Sequence, residues 1–148
     1  MGLMTGKRGL IMGLANDKSI AWGIAQACRE QGAELAFTYQ GDALGKRVKP
    51  LAEQVGSQIV LPCDVTDGAS IDRVFDDLGQ HWDQLDFLVH AIAYSDKSEL
   101  RGRYVDTSAA NFASTMNVSV YSFTAVAQRA EKMMGSGGSM LTLTYYGA

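Results

Sequence analysis

The sequence predicts an α/β protein: a doubly wound parallel sheet of strand order 3-2-1-4-5 with helices on both faces. Two observations carry this. Short, wholly apolar runs alternate with amphipathic stretches along the chain, and such runs are the mark of strands buried on both faces. The first run ends in glycine and passes straight into a helical pattern, in "GLIMGLANDKSIAWGIA" (9–25). Strands covered on both sides and separated by helices imply a parallel sheet, and right-handed crossovers then favour the doubly wound order.

"RGLIMG" (8–13) is the first strand. Residues 19–31 read as a helix with Ile20, Ile24, Ala27 and Cys28 on one face, stopped by Gly32. "AELAFTY" (33–39) is the second strand, and 43–55 a helix that Pro50 is expected to split or restart. "SQIVLPC" (57–63) is the third strand. Ile71, Val74, Phe75, Leu78 and Trp82 then follow the helical period, with Thr66 or Asp67 as the cap. "LDFLVHAIA" (85–93) is the fourth strand and "YSDKSELRGRY" a polar loop. Residues 109–134 form a long helix carrying Phe112, Met116, Phe123, Val126, Ala127 and Met133, an apolar surface wider than one stripe. It reads either as a large core helix or as a helix with one side on the sheet and the other on a second subunit. After "GSGG", "SMLTLTYY" (139–146) is the fifth strand.

The 148 residues suffice for one domain with a sizeable core; 47% are hydrophobic and 20% charged, as in a soluble globular protein. A net charge of −3 argues against nucleic acid as a partner. No apolar run approaches the ~18 residues of a membrane helix. Lys7 and Arg8 precede an apolar stretch too short for a signal peptide. Cys28 and Cys63, without metal-like spacing, read as reduced thiols of a cytosolic protein. His81 reads as a partly exposed helix-end residue and His90 as a satisfied core residue. Neither has partners at metal-ligand spacing, so no metal is expected.

The glycine turn lacks the usual three-glycine spacing. A phosphate site needs bare backbone amides at a helix N-terminus and small residues that let the anion approach. Gly13 permits the turn, Ser19 offers a hydroxyl, and Ala21 and Gly23 are expected to keep the helix close to the sheet. Ligands of such sheets sit beyond the carboxyl ends of the strands, where the order reverses between strands 1 and 4. Those ends carry Gly13, Gln40, Asp64 with Val65, Ala91 to Ala93, and Tyr145. Asp64 can accept from an adenine amino group or serve as a turn carboxylate. Ile92 can pack on adenosine. Gln40 stands where dinucleotide enzymes often carry an acid, and its neutrality leaves NAD and NADP both open.

"GLANDKSIAWGIAQA", "AELAFTYQGDALGKRV", "LPCDVTD", "LDFLVHAIAYSDKSELRGRYVDT" and "SMLTLTYYGA" together resemble the NADH-dependent enoyl-[acyl-carrier-protein] reductases of bacterial fatty-acid synthesis, divergent short-chain dehydrogenases/reductases. The resemblance runs from "GKRGLIMG" to Ala148. It implies a Rossmann domain over residues 1–148, incomplete at its C-terminal side, in a cytoplasmic homotetramer. It implies NADH as cofactor and an enoyl thioester on acyl carrier protein as substrate. Gly13, Ser19 and Ile20 would hold the pyrophosphate region, Gln40 the adenosine ribose, Asp64 and Val65 the adenine, and Ile92 the adenosine side. Ser95 would edge the acyl pocket. Tyr145 would be the first of two tyrosines near the thioester, as a donor to its oxygen or as an aromatic lining. The family's second tyrosine and its lysine fall beyond these residues, so this stretch alone is expected to be a poor catalyst. Asn117 is read as structural. Two other readings stand beside this one: a carbonyl or alcohol dehydrogenase, which a serine at position 145 would favour, and a dinucleotide-binding module without catalysis.

Overall fold

The computed structural model describes residues 2–146; Met1, Gly147 and Ala148, the last two of which close the "SMLTLTYYGA" match, lie outside the described residues. Five parallel strands form one sheet in the order β3-β2-β1-β4-β5. They are β1 (Arg8–Met12), β2 (Glu34–Tyr39), β3 (Ile59–Pro62), β4 (Phe87–His90) and β5 (Ser139–Thr142). The helices are α1 (Ile20–Glu30), α2 (Gly41–Gln54), α3 (Gly68–His81), α4 (Ala109–Met116) and α5 (Ser122–Ala130). The predicted strand order and fold class are those observed.

Alternation along β1 divides the core. Leu10 and Met12 face a layer built with Ile71, Val74, Leu78 and Val126, from α3 and α5. Ile11 faces the opposite layer, with Ala21, Trp22, Ala25 and Val48 from α1 and α2. The central strands β1, β2 and β4 are thereby covered on both faces, which is why they read as unbroken apolar runs, whereas β5 at the edge is mostly exposed.

Several elements differ from their sequence reading. In α1 the buried residues are Ala21, Trp22 and Ala25, with Ile24 and Cys28 half-buried, while Ile20 is 69% exposed. The expected face was one position out. Alanines at 21 and 25 make the contact and draw the helix onto the sheet, and Ala27 stays exposed. Gly23 points to open space and packs on nothing, so only Ala21 of the expected pair brings the helix close. Pro50 does not split α2. It lies on the exposed face, where the Lys46 carbonyl that loses its amide partner can turn to water. Asp67, rather than Thr66, caps α3, accepting from the Ala69 amide at 3.0 Å.

The long helix is not uniform. Between α4 and α5 lies one π-helical turn, Asn117–Tyr121, which includes Asn117. α5 buries Ser122, Ala125, Val126 and Ala130 against the sheet, whereas Phe112, Met116, Val120 and Tyr121 are exposed. Within one chain only one side of the rod is covered. β5 is shorter than its apolar run. Its last pairing is His90 with Thr142, and after the Leu143 amide donates to the His90 carbonyl at 3.2 Å, β4 has no further residue to offer.

At the opposite end of the sheet, Asp86 ties β1 to β4. Its carboxylate accepts from the Arg8 amide at 2.9 Å and from Lys7 Nζ at 3.0 Å, and its own amide donates to the Arg8 carbonyl at 2.8 Å. Partial burial pushes the Asp86 pKa up, but the Arg8, Lys7 and Gln84 donors outweigh it and hold the group below the usual carboxylate range. A carboxylate with a depressed folded pKa contributes stability above its unfolded value of ~3.9 and loses it as pH falls through the folded value. Asp86→Asn is therefore expected to lower Tm at neutral pH and to flatten its decline between roughly pH 5 and pH 2. Thermal melts across that range check this; a variant that tracks the wild type throughout would refute it.

Candidate dinucleotide site

Beyond the carboxyl ends of the strands lies an open crevice of about 580 Å³, within the usual range for small-molecule sites. It sits at the switch point between β1 and β4, and Gly13 and Ile92 line it from the two sides. Gly13 has φ +96°, and a Cβ there would run into the Ala91 carbonyl oxygen. Glycine is thus required twice, for its left-handed backbone and for the close approach of β1 to β4.

The turn after Gly13 is closed by Ser19. Its Oγ accepts from the amides of Ala15 and Asn16, each at 3.1 Å. The hydroxyl is thereby aimed back into the loop, with its own proton left to donate. Ser19 is the N-cap of α1 but makes no side-chain bond to the helix, and no acid stands in the first turn. Among the described residues, the amides of Ile20 and Ala21 donate to no protein acceptor; the first intrahelical donors to Ser19 are Trp22 at 2.9 Å and Gly23 at 3.4 Å. By contrast, α2 has Asp42 in its first turn and α3 has its Asp67 cap. Two bare donors and an uncompensated helix dipole suit an anion.

Across the crevice, Asp64 follows β3. Thr66 donates to its Oδ1 twice, from the hydroxyl at 2.7 Å and from the amide at 2.9 Å. These bonds, helped by the Gln40 side chain and opposed by slight burial, hold its pKa below the ordinary value. Asp64 is thus an ionised acceptor at neutral pH, its Oδ1 held by Thr66 and its carboxylate supported by the Gln40 side chain. Gln40 and Val65 line the same end. The crevice therefore has an acceptor with apolar neighbours at one end and bare amides near the other, which fits an adenine nucleotide with its phosphates.

The structure brings together Gly13, Gln40, Asp64, Val65 and Ile92 on the crevice wall. Ser19 and Ile20, at the start of α1, are outside the wall itself, and Ser19 is tied to it through its bond from the amide of the wall residue Ala15. Ser95 is also off the wall. Its Oγ accepts from Thr115 Oγ1 at 2.9 Å and from Asn111 Nδ2 at 3.3 Å, so the long helix holds it. Tyr145 is not gathered into the site: it follows the end of β5 and is 95% exposed, and Tyr146 beside it is fully exposed. The fifth strand expected over 139–146 ends at Thr142, so neither tyrosine is on it.

Sequence reasoning missed Thr38, Cys63 and Val118, which also line the crevice. Thr38 and Cys63 were legible as strand-end residues like Gln40 and Asp64. Burial pushes the Cys63 thiol up to about 11, helped by the Asp64 charge, so it is a wall group rather than a nucleophile. Val118 lies in the π turn and gave no such signal.

Comparison with known proteins accords with this geometry. Residues 13–148 match the sequence profile of a family described as enoyl-(acyl carrier protein) reductase. The chain is 65% identical, over 99% of its length and 54% of the relative's, to enoyl-[acyl-carrier-protein] reductase [NADH] 1 of Rhizobium meliloti. It superposes with a TM-score of 0.97 on crystalline FabI from Candidatus Liberibacter asiaticus, at 54% identity, covering 99% of this chain and 57% of that one. The Anaplasma phagocytophilum reductase crystallised with NAD gives 0.95 at 56% identity, covering 98% of this chain and 56% of that one. The chain spans about half the length of these relatives. A parallel sheet of this order, a crevice at its switch point and a match over nearly all its residues place it: the chain belongs to the enoyl-(acyl carrier protein) reductase family.

Proposed function

We propose that the protein containing this chain reduces the trans-2-enoyl thioester carried on acyl carrier protein, using NADH, in fatty-acid elongation. The observation that carries the reading is the crevice itself: bare amides at Ile20 and Ala21, the Gly13 approach and the ionised Asp64, in a chain so similar to NADH-named reductases. NADH, when bound, supplies the hydride for the β-carbon of the enoyl group.

This chain's residues bind and orient. Gly13 and the first-turn amides take the pyrophosphate, with the Ser19 proton as a further donor. Gln40 meets the adenosine ribose, Asp64 and Val65 the adenine, and Ile92 packs on the adenosine. Ser95, held by Thr115 and Asn111, edges the acyl pocket. Tyr145 follows β5 at the same end of the sheet as the crevice; a phenol of pKa ~10 stays protonated at neutral pH and can donate to the thioester oxygen as negative charge gathers there. The exposed Phe112, Met116, Val120 and Tyr121 face supports assembly of a homotetramer through the long helix. No described helix is long and apolar enough to cross a membrane, and a cytoplasmic location belongs to the same reading.

Isothermal titration of NADH and NADPH into the full-length gene product, followed by NADH oxidation with a crotonyl thioester, tests the proposal. NADH binding and thioester-dependent oxidation are expected. Turnover of ketones with none of enoyl thioesters would overturn it.

A further inference from the structure

His90 is fully buried at the end of β4, paired with Met12 of β1 on one side and Thr142 of β5 on the other. Both ring nitrogens are engaged: Nδ1 lies 2.9 Å from Thr142 Oγ1 and Nε2 lies 2.7 Å from Ser122 Oγ. The roles follow from counting protons. The single Ser122 hydroxyl proton goes to the Val118 carbonyl oxygen at 2.6 Å. Toward His90, Ser122 Oγ can then only accept, so Nε2 carries the hydrogen, and Nδ1 must accept from Thr142.

The chain of bonds ends on the π turn. There the Ser122 amide reaches back to the Asn117 carbonyl, and the Ser122 hydroxyl serves the Val118 carbonyl instead. Val118 is a wall of the crevice. In the same turn Ser119 Oγ accepts from the Tyr94 amide at 3.0 Å and donates to the Tyr94 carbonyl at 3.1 Å, and Tyr94 lines the crevice too. π turns cost regular hydrogen bonding and persist where side chains compensate. This one is compensated by groups that lead to the crevice.

We propose that His90, fixed as its Nε2–H tautomer between Thr142 and Ser122, is a positioning residue that sets the π turn and thereby the crevice wall at Val118 and Tyr94. The proposal rests on the dinucleotide reading of the crevice. His90 touches neither cofactor nor substrate in this role; it acts through Ser122. Its burial, which lowers its pKa and keeps the ring neutral, is consistent with that task.

The test is NADH titration of the full-length gene product together with long-range proton–nitrogen NMR of its histidines. The wild type should show His90 protonated at Nε2 alone. Ser122→Ala should raise the NADH dissociation constant about tenfold, the size of one good hydrogen bond. Thr142→Val, at an exposed position that tolerates the change, should weaken binding about threefold, and Thr142→Ser should restore it. A purely structural role would lower Tm and leave the affinity of the folded protein unchanged. Wild-type affinity in both Ser122→Ala and Thr142→Val, or a ring found as the Nδ1–H tautomer or the imidazolium, overturns this proposal while the dinucleotide reading stands. A wild type that binds no NADH overturns both. Should Ser122→Ala not fold, the Thr142 pair decides.

Discussion

Gly13→Ala is expected to cost about 3 kcal/mol of stability and to abolish measurable NADH binding. Two penalties combine. A non-glycine residue at φ +96° is strained by about 1–2 kcal/mol. The new methyl also meets the Ala91 carbonyl, which is backbone held in β-pairing by the Ala91 amide's bond to Met12 at 3.0 Å, so it cannot simply swing away. Relief requires β1 and β4 to part at the switch point, the place the phosphates must enter. Gly6→Ala supplies the comparison. Gly6 has φ +78°, but nothing lies within reach of its Cβ, so only the backbone strain of about 1 kcal/mol should appear, with binding intact. Urea unfolding midpoints and NADH titrations of the two variants check this; equal losses would show that the close approach at Gly13 does not matter.

How much of this was legible in the sequence depends on the range of the forces involved. The strand order was, because the central strands, dry on both faces, leave unbroken apolar runs, and Gly13 marked the turn off the first of them. Gln40, Asp64, Val65 and Ile92 were legible as residues just past strand ends, since in a parallel sheet those ends converge. What failed was decided by contacts remote in sequence. The buried face of α1 is Ala21, Trp22 and Ala25, and the two alanines, whose small size allows the closest packing, carry no strong hydrophobic signal. The length of β5 is set by where β4 ends, which nothing within "SMLTLTYY" records, so Tyr145 follows the strand instead of lying on it. The π turn depends on hydroxyls of Ser119 and Ser122 reaching Tyr94 and Val118, and such bonds leave no periodicity. Ser95 was singled out by resemblance, but that the long helix grips it through Thr115 appeared only in three dimensions.

Ile20→Pro is expected to weaken NADH binding at least tenfold while leaving the fold intact. Ordinarily a proline in a helix conflates loss of an amide with disruption of the backbone. Position 20 separates them. It is the first residue of α1, where proline's φ near −65° is already helical and its missing N–H breaks no intrahelical bond. The preceding residue, Ser19, has φ −65° and ψ 140°, the extended conformation that a following proline demands. The Ile20 side chain is mostly exposed, so its removal sacrifices little packing. What disappears is one bare amide. A hydrogen bond from such a donor to a charged group contributes about 1.5–3 kcal/mol, or roughly ten- to a hundredfold in affinity. Ile20→Ala removes the side chain but keeps the amide, and measures any apolar contact Ile20 makes with the nucleotide. Titration of NADH into the full-length gene product carrying each variant, beside thermal melts, distinguishes the contributions. If Ile20→Pro and Ile20→Ala bind equally well, the amide does not hold the pyrophosphate, and the anion must be gripped elsewhere along the Gly13–Ser19 loop.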